Sequence, residues 1–258
     1  MCLAVVAINA RADLPLLALG NRDEFHQRPT DPLHWWSDAP DVVAGRDREA
    51  GGTWFAAGRD GRFGLITNVR EPAATAGGRS RGELIPAFLN GGDTAAAFAD
   101  GIRGDDYAGF NLLIGETGGP AVYVSNRDGG SPRPLGDGIV AVSNALLDTP
   151  WPKLVRVREA IREWLARDDR DDDEIFAILR DREPGLDDPF PAGELDPALA
   201  RALSAPFVVG ERYGTRSTTL LAINRQGIAR IRERRFAPGG EVLGADRCLR
   251  FALNRDSS

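Results

Sequence analysis

Cysteine and histidine are scarce in this chain, and their scarcity removes whole classes of chemistry. Of 258 residues, two are Cys and two are His. Cys2 and Cys248 stand at opposite ends, which argues against a disulfide framework and makes a reducing cytoplasm the expected setting. His26 and His34 form no Cys/His spacing of the zinc-site kind, so no metal is expected. A Ser-His-Asp triad would have to recruit one of those two histidines. Lys153 is the only lysine, a bias read as genome composition rather than ligand chemistry.

Long apolar runs are missing too. No stretch approaches the roughly 20 apolar residues of a membrane helix, so no membrane span is expected. The run from Cys2 to Ile8 follows no basic residue and meets Asn9, Arg11 and Asp13, so it reads as a first strand and not as a secretory signal. Acidic residues outnumber basic ones, 38 to 32, and surround the arginines, which excludes a nucleic-acid surface. There is no GxGxxG or Walker loop and no internal repeat. With 42% hydrophobic and 27% charged residues, the composition is that of a soluble globular protein. The length fits one large domain or two small ones, and leaves the oligomeric state open.

What is present reads as strands, then helices, then strands. Cys2–Asn9 and Leu16–Arg22 form a hairpin turned at Arg11–Asp13, and residues 26–52 form a long irregular loop. Thr53–Ala57 and Phe63–Val69 pair around Arg59-Asp60-Gly61. Ser80 and Glu83 have capping-box spacing for a helix to about Leu89, and Asp93 caps a second through Ile102. Strands follow at Phe110–Ile114, Ala121–Val124 and Ile139–Val142. Pro152–Arg167 is an amphipathic helix and Glu174–Leu179 begins another, while 184–197 carries no clear pattern. Strands at Phe207–Val209, Ser217–Ile223 and Ile228–Arg232 close an α+β chain.

Cys2 is the residue with most chemical promise. Removal of Met1 would leave a free α-amine, titrating near pH ~7.7–8.0, beside a thiol. That amine can take the thiol proton and later protonate a leaving group. The plain alternative is a buried cysteine that fills space. Asn21-Arg22-Asp23-Glu24 ends the neighbouring strand, so Arg22 offers a cation and Asp23 a carboxylate near the thiol. The tripeptide recurs at 126–128 and 254–256; only its place opposite Cys2 makes the first copy special.

Met1-Cys2, Gly20-Asn21-Arg22-Asp23-Glu24-Phe25, Gly51-Gly52-Thr53-Trp54, Thr67-Asn68-Val69-Arg70, Ser143-Asn144 with Leu147 to Lys153, and Tyr213 to Ser217 resemble, in order, the NRDE family. This is the transport and Golgi organisation protein 2-like family, and it in turn resembles the cysteine-type N-terminal nucleophile (Ntn) hydrolases. The resemblance implies a single domain over 1–258 with an Ntn-hydrolase-like, four-layer αββα sandwich. It implies Cys2 as nucleophile and amine base, Arg22 and Asp23 as its neighbours, Asn68 and Asn144 as oxyanion-side donors, and Arg216 near the thiol. In those hydrolases two residues separate the Arg and Asp, which are adjacent here. Glu24 has no counterpart and is expected to partner Arg22 or Arg216. Asn68 and Asn144 could equally serve turns, and Arg216 a strand-face ion pair. Trp54 suits a strand core, whereas Trp35-Trp36 suit a pocket rim or lid.

Two classes of function stay open. One is a hydrolase cleaving a non-peptide C–N bond or another acyl bond of a small molecule through an acyl-cysteine, with no cofactor required. The other, implied by the family, is a binding or trafficking protein for haem, lipid or acyl-CoA, with a Cys thiolate able to hold haem iron.

Overall fold

Along β1 (Cys2–Arg11) every residue from Leu3 to Val6 is buried, and β2 (Leu14–Phe25) is buried without a break from Leu16 to Asp23. Strands hidden on both faces need a layer on each side. The computed structural model, which describes residues 2–71, 78–185 and 197–254, supplies those layers. Next in the chain come β3 (Thr30–Trp35), β4 (Val42–Asp47), β5 (Phe55–Gly58) and β6 (Arg62–Asn68). Two short helices, α1 (Leu84–Asn90) and α2 (Ala95–Asp100), lead to β7 (Phe110–Glu116), β8 (Ala121–Ser125), β9 (Arg133–Leu135) and β10 (Gly138–Val142). Three helices follow: α3 (Pro152–Ala166), α4 (Asp172–Leu179) and α5 (Pro197–Leu203). The chain then returns to sheet in β11 (Tyr213–Ile223), β12 (Ile228–Arg235) and β13 (Arg247–Ala252).

One sheet has the order β10-β1-β2-β11-β12-β13 and the other runs β3 to β9 in sequence. Between them lie Val6, Leu16, Ile223 and Ile231 of the first and Phe55, Phe63, Leu65 and Tyr123 of the second. The alternate residues Leu3, Val5, Leu17 and Leu19 face outward against Leu154, Val157 and Ile161 of α3 and Phe176 of α4. On the far side, Ile85 and Phe88 of α1 and Ala99 of α2 cover Val42, Ala44, Leu112 and Ile114. The result is the expected four-layer αββα sandwich. Each buried Leu, Ile or Phe contributes about 1.5–3 kcal/mol. No helix among the described residues is long and apolar enough to cross a membrane.

The sequence patterns misplace several elements. Residues 26–52 are not an irregular loop: they carry β3 and β4. Pro32 hid β3, yet β3 is an edge strand with a register shift between Asp31 and His34, and both tolerate proline. Phe207–Val209 is not a strand, because Phe207 N–H goes to Asp181 and Val208 N–H to the Thr215 hydroxyl. Ser80 makes no side-chain cap and is followed by one 3-10 turn at Arg81–Glu83. Thr94, not Asp93, caps α2 by accepting from Ala97 N–H. Within the patternless stretch 184–197, residues 186–196 lie outside the described residues.

Asn21 ties the layers together. Its Nδ2 donates to the Leu179 and Pro206 carbonyls at 2.8 and 2.9 Å, and its Oδ1 accepts from Thr218 Oγ1 at 2.6 Å. Removing a buried amide strands those partners, at about 1–3 kcal/mol each. Asn21→Ala should therefore lower stability in urea unfolding by roughly 2–4 kcal/mol. A loss within ~0.5 kcal/mol would contradict a structural role for this network.

Candidate active site

The β1–β2 pairing sets Cys2 opposite Arg22 and Leu3 opposite Asn21. Side chains alternate along a strand, so Cys2 shares the inter-sheet face with Ala4 and Val6, and Arg22 shares it with Ala18. Both sit at the open end of the hairpin, where the sheets part around a cleft of about 340 Å³. Arg22 is buried. Its guanidinium lies 4.3 Å above the Trp54 ring, donates to Thr30 Oγ1 at 3.2 Å, and has Asp47 Oδ2 at 3.3 Å and Glu24 Oε2 at 3.9 Å. Stacked and paired in this way, the cation is held rigidly beside the thiol.

Asp23 lines the same cleft. Its main-chain N–H is directed at the Cys2 sulfur. Its carboxylate accepts from Thr215 Oγ1 at 2.6 Å, across the β2–β11 register. Burial pushes the Asp23 carboxyl up, against the N-terminal charge, the Thr215 hydrogen bond and the charges of Lys153 and Arg22. Burial likewise pushes the Cys2 thiol up, and the Asp23 charge adds to this; the N-terminal charge, the Asp23 main-chain N–H and Arg22 oppose it. Burial thus favours the neutral thiol over the thiolate.

Asn68, at the end of β6, reaches the cleft from the second sheet. Asn144 Nδ2 donates to Asn68 Oδ1 at 2.9 Å and to its carbonyl at 3.1 Å. With Oδ1 so occupied, Asn68 Nδ2 is the donor left to the cleft. Asn144 itself is buried behind it and does not line the cleft. Of the two asparagines expected as oxyanion-side donors, Asn68 lines the cleft and Asn144 hydrogen-bonds it from behind. Ser143 completes this support, its hydroxyl donating to the Cys2 carbonyl at 2.9 Å.

Not every expected residue joins the cleft. Trp54 and Glu24 line it. Glu24 Oε2 stands 3.9 Å from both Arg22 and Arg28, so its partners are those two arginines and not Arg216. Arg216 sits at the β-bulge between Thr215 and Ser217 and donates to the Phe25 and Arg28 carbonyls. It braces the 25–30 turn and does not line the Cys2 cleft. Trp35 and Trp36 form no rim or lid. Trp35 packs edge-on to Phe251 at 4.9 Å, and Trp36 is buried under α1 and α2 with its Nε1 donating to Ala44.

Sequence reasoning missed Arg28, Asp47 and Arg81, all of which line the cleft. Arg28 and Asp47 fell in the stretch read as loop, and Arg81 was hidden behind the supposed capping box. One signal was available in Gly51-Gly52-Thr53. A Cβ on Gly52 would stand 2.3 Å from the Gly82 carbonyl carbon, and Thr53 N–H donates to Gly82 O at 2.9 Å. That close approach seats the Arg81 turn against the cleft. Among the described residues no group of three His, Cys, Asp or Glu is placed to hold a metal ion.

Fold and site together define a protein of the Ntn-hydrolase fold. A mutant conjugated bile acid hydrolase from Clostridium perfringens superposes with a TM-score of 0.54 at 10% identity, covering 100% of this chain and 94% of its own. A Caenorhabditis elegans N-acylethanolamine-hydrolyzing acid amidase ortholog superposes with a TM-score of 0.51 at 10% identity, covering 85% and 92%. The chain belongs to the Transport and Golgi organisation 2 family, matched over residues 1–238. The Transport and Golgi organization protein 2 homolog of Bos taurus is 31% identical over 90% of this chain and 88% of its own. The Homo sapiens homolog is 29% identical over 85% and 86%.

The electrostatics fix the sign of two substitutions. Asp23→Asn removes a negative charge and should move the Cys2 titration down; Arg22→Gln removes a positive one and should move it up. In the unaltered protein, alkylation of Cys2 by iodoacetamide should keep rising above the ordinary thiol value of about 8.5. Peptide mass spectrometry across about pH 6 to 10 reads all three profiles. A wild-type Cys2 that titrates below the ordinary thiol range would contradict this electrostatic balance.

Proposed function

We propose that the chain is a cysteine Ntn-type hydrolase that cleaves a non-peptide C–N amide or another acyl bond of a small molecule. The observation that carries this is the Cys2 thiol in a cleft with Arg22 opposite it in register and Asp23 and Asn68 on the same walls. Membership of the family and the likeness in fold to two proteins named for hydrolysing conjugated bile acids and N-acylethanolamines support it.

Once Met1 is removed, the Cys2 α-amine is the base. Thiol sulfur attacks the acyl carbon, its proton passes to the amine, and a C–S bond forms. The tetrahedral oxyanion meets Asn68 Nδ2, a donor typically worth ~10²–10³ in rate. Collapse breaks the C–N bond, and the amine's proton goes to the leaving nitrogen. Water, deprotonated by the same amine, then releases the acid and restores the thiol, general acid–base catalysis contributing about 10²–10⁴. Asp23 orients the amine, Arg22 fixes the charge balance around sulfur, and Asn144 holds Asn68 in line. Trp54 and Glu24 shape the wall around Arg22. The chemistry needs a free thiol, which the cytoplasm provides.

Intact mass should show the mature protein beginning at Cys2, and a panel of cysteine-directed acyl probes should label the N-terminal peptide in preference to Cys248. Retention of Met1 contradicts the amine base. Labelling of Cys248 in preference to Cys2 contradicts the nucleophile and leaves the binding or trafficking class.

A further inference from the structure

Arg22, Arg28 and Arg81 all line the cleft, but they are not equally engaged. Arg28 is held by Asp47 at 2.5 Å and Glu49 at 3.3 Å. Arg22 has Asp47 at 3.3 Å and the Trp54 face. Arg81 forms no ion pair with any described carboxylate; the group whose charge it feels most is Cys2, followed by Glu24 and Glu71. Among the described residues its one hydrogen bond runs from Nη1 to the Gly109 carbonyl at 2.8 Å. Nε and Nη2 therefore have no acceptor among the described residues. The side chain is half-buried, and a partly desolvated cation without a counter-charge is unfavourable until an anion meets it.

The position of this cation is fixed by the backbone. Thr53 N–H donates to Gly82 O, and the Gly52–Gly82 approach leaves no room for a side chain. A guanidinium stays charged in proteins, and its planar fork matches a carboxylate or a phosphate through two parallel hydrogen bonds.

We propose that Arg81 receives an oxyanion carried by the substrate, so that acyl donors bearing a carboxylate or phosphate are preferred over neutral ones. This rests on the Cys2 chemistry above and adds a substrate class to it. Arg81 is then a binding residue that touches the substrate's oxyanion in the cleft that holds Cys2.

Three thioesters test this: neutral pentanoyl-N-acetylcysteamine, glutaryl-N-acetylcysteamine with a carboxylate on the acyl side, and the pentanoyl thioester of 3-mercaptopropionate with a carboxylate on the leaving side. In each, Cys2 sulfur forms a C–S bond to the acyl carbon as the bond to the leaving sulfur breaks, and the leaving thiol takes the proton Cys2 gives up. Initial rates are read from the mass of the N-terminal peptide. One charged probe should exceed the neutral one by roughly 10-fold or more. That ratio should fall to near unity in Arg81→Gln and survive in part in Arg81→Lys. In the wild-type protein, free glutarate or inorganic phosphate should suppress the ratio, and whichever does so names the oxyanion. Equal rates for all three probes, or suppression by neither anion, overturn the Arg81 assignment while Cys2 acylation stands. No acylation of Cys2 by any probe overturns the Cys2 chemistry, and this proposal with it.

Discussion

The pairing of β1 with β2 is the constraint on which the rest depends. Strand side chains alternate, and both faces of these two strands are buried, so a slip of one residue would send Val5 and Leu17 between the sheets and turn Cys2 toward the helices. The apolar fit on both faces makes that slip costly: Leu3, Val5 and Leu17 need α3 and α4, while Ala4, Val6 and Ala18 need the second sheet. Core packing thus determines where a thiol at the strand end points, and it also determines that Arg22 lies directly opposite. Asn21, one residue earlier, faces the other way and anchors the helix layer. Adjacent residues of one tetrapeptide therefore serve the core and the cleft by strand parity alone.

Around that pair, charge is balanced locally. Asp47 serves Arg22 and Arg28 together, and Thr215 serves the buried Asp23. A second set of contacts crosses between the sheets, where Asn144 fixes Asn68 and Ser143 reaches the Cys2 carbonyl. Such cross-linked hydrogen-bond networks are stiff. They keep Asn68 and Cys2 in fixed relation, which the proposed acyl transfer would require. Arg81 is the exception to the local balance.

Much of this was legible in the amino-acid order. The β1–β2 hairpin followed from alternation and a turn, and Arg22 and Asp23 fell beside Cys2 for that reason. The helix at 152–167 followed from its apolar stripe and is observed as Pro152–Ala166. What was not legible depended on contacts distant in sequence. β3 looked like loop because proline and polar residues suit an edge strand as well as a turn. Trp36 looked like a rim residue because nothing local reveals that α1 and α2 cover it. Asn144 and Arg216 lie outside the cleft lining, because the atoms they satisfy belong to partners 76 and 188 residues away. Arg81 belongs to no periodic pattern; only the Gly52–Gly82 contact brings it to the cleft.

The central claim is that this surround makes Cys2 a nucleophile that turns over and not merely a thiol that can be modified. It is tested most directly by pulse-acylating the protein, removing the donor and following loss of the acyl mass from the N-terminal peptide. The account predicts that acyl-Cys2 is hydrolysed to free acid and thiol about 100-fold faster than the same acyl group on Cys248. An acyl group that persists on Cys2 as long as on Cys248 would contradict it.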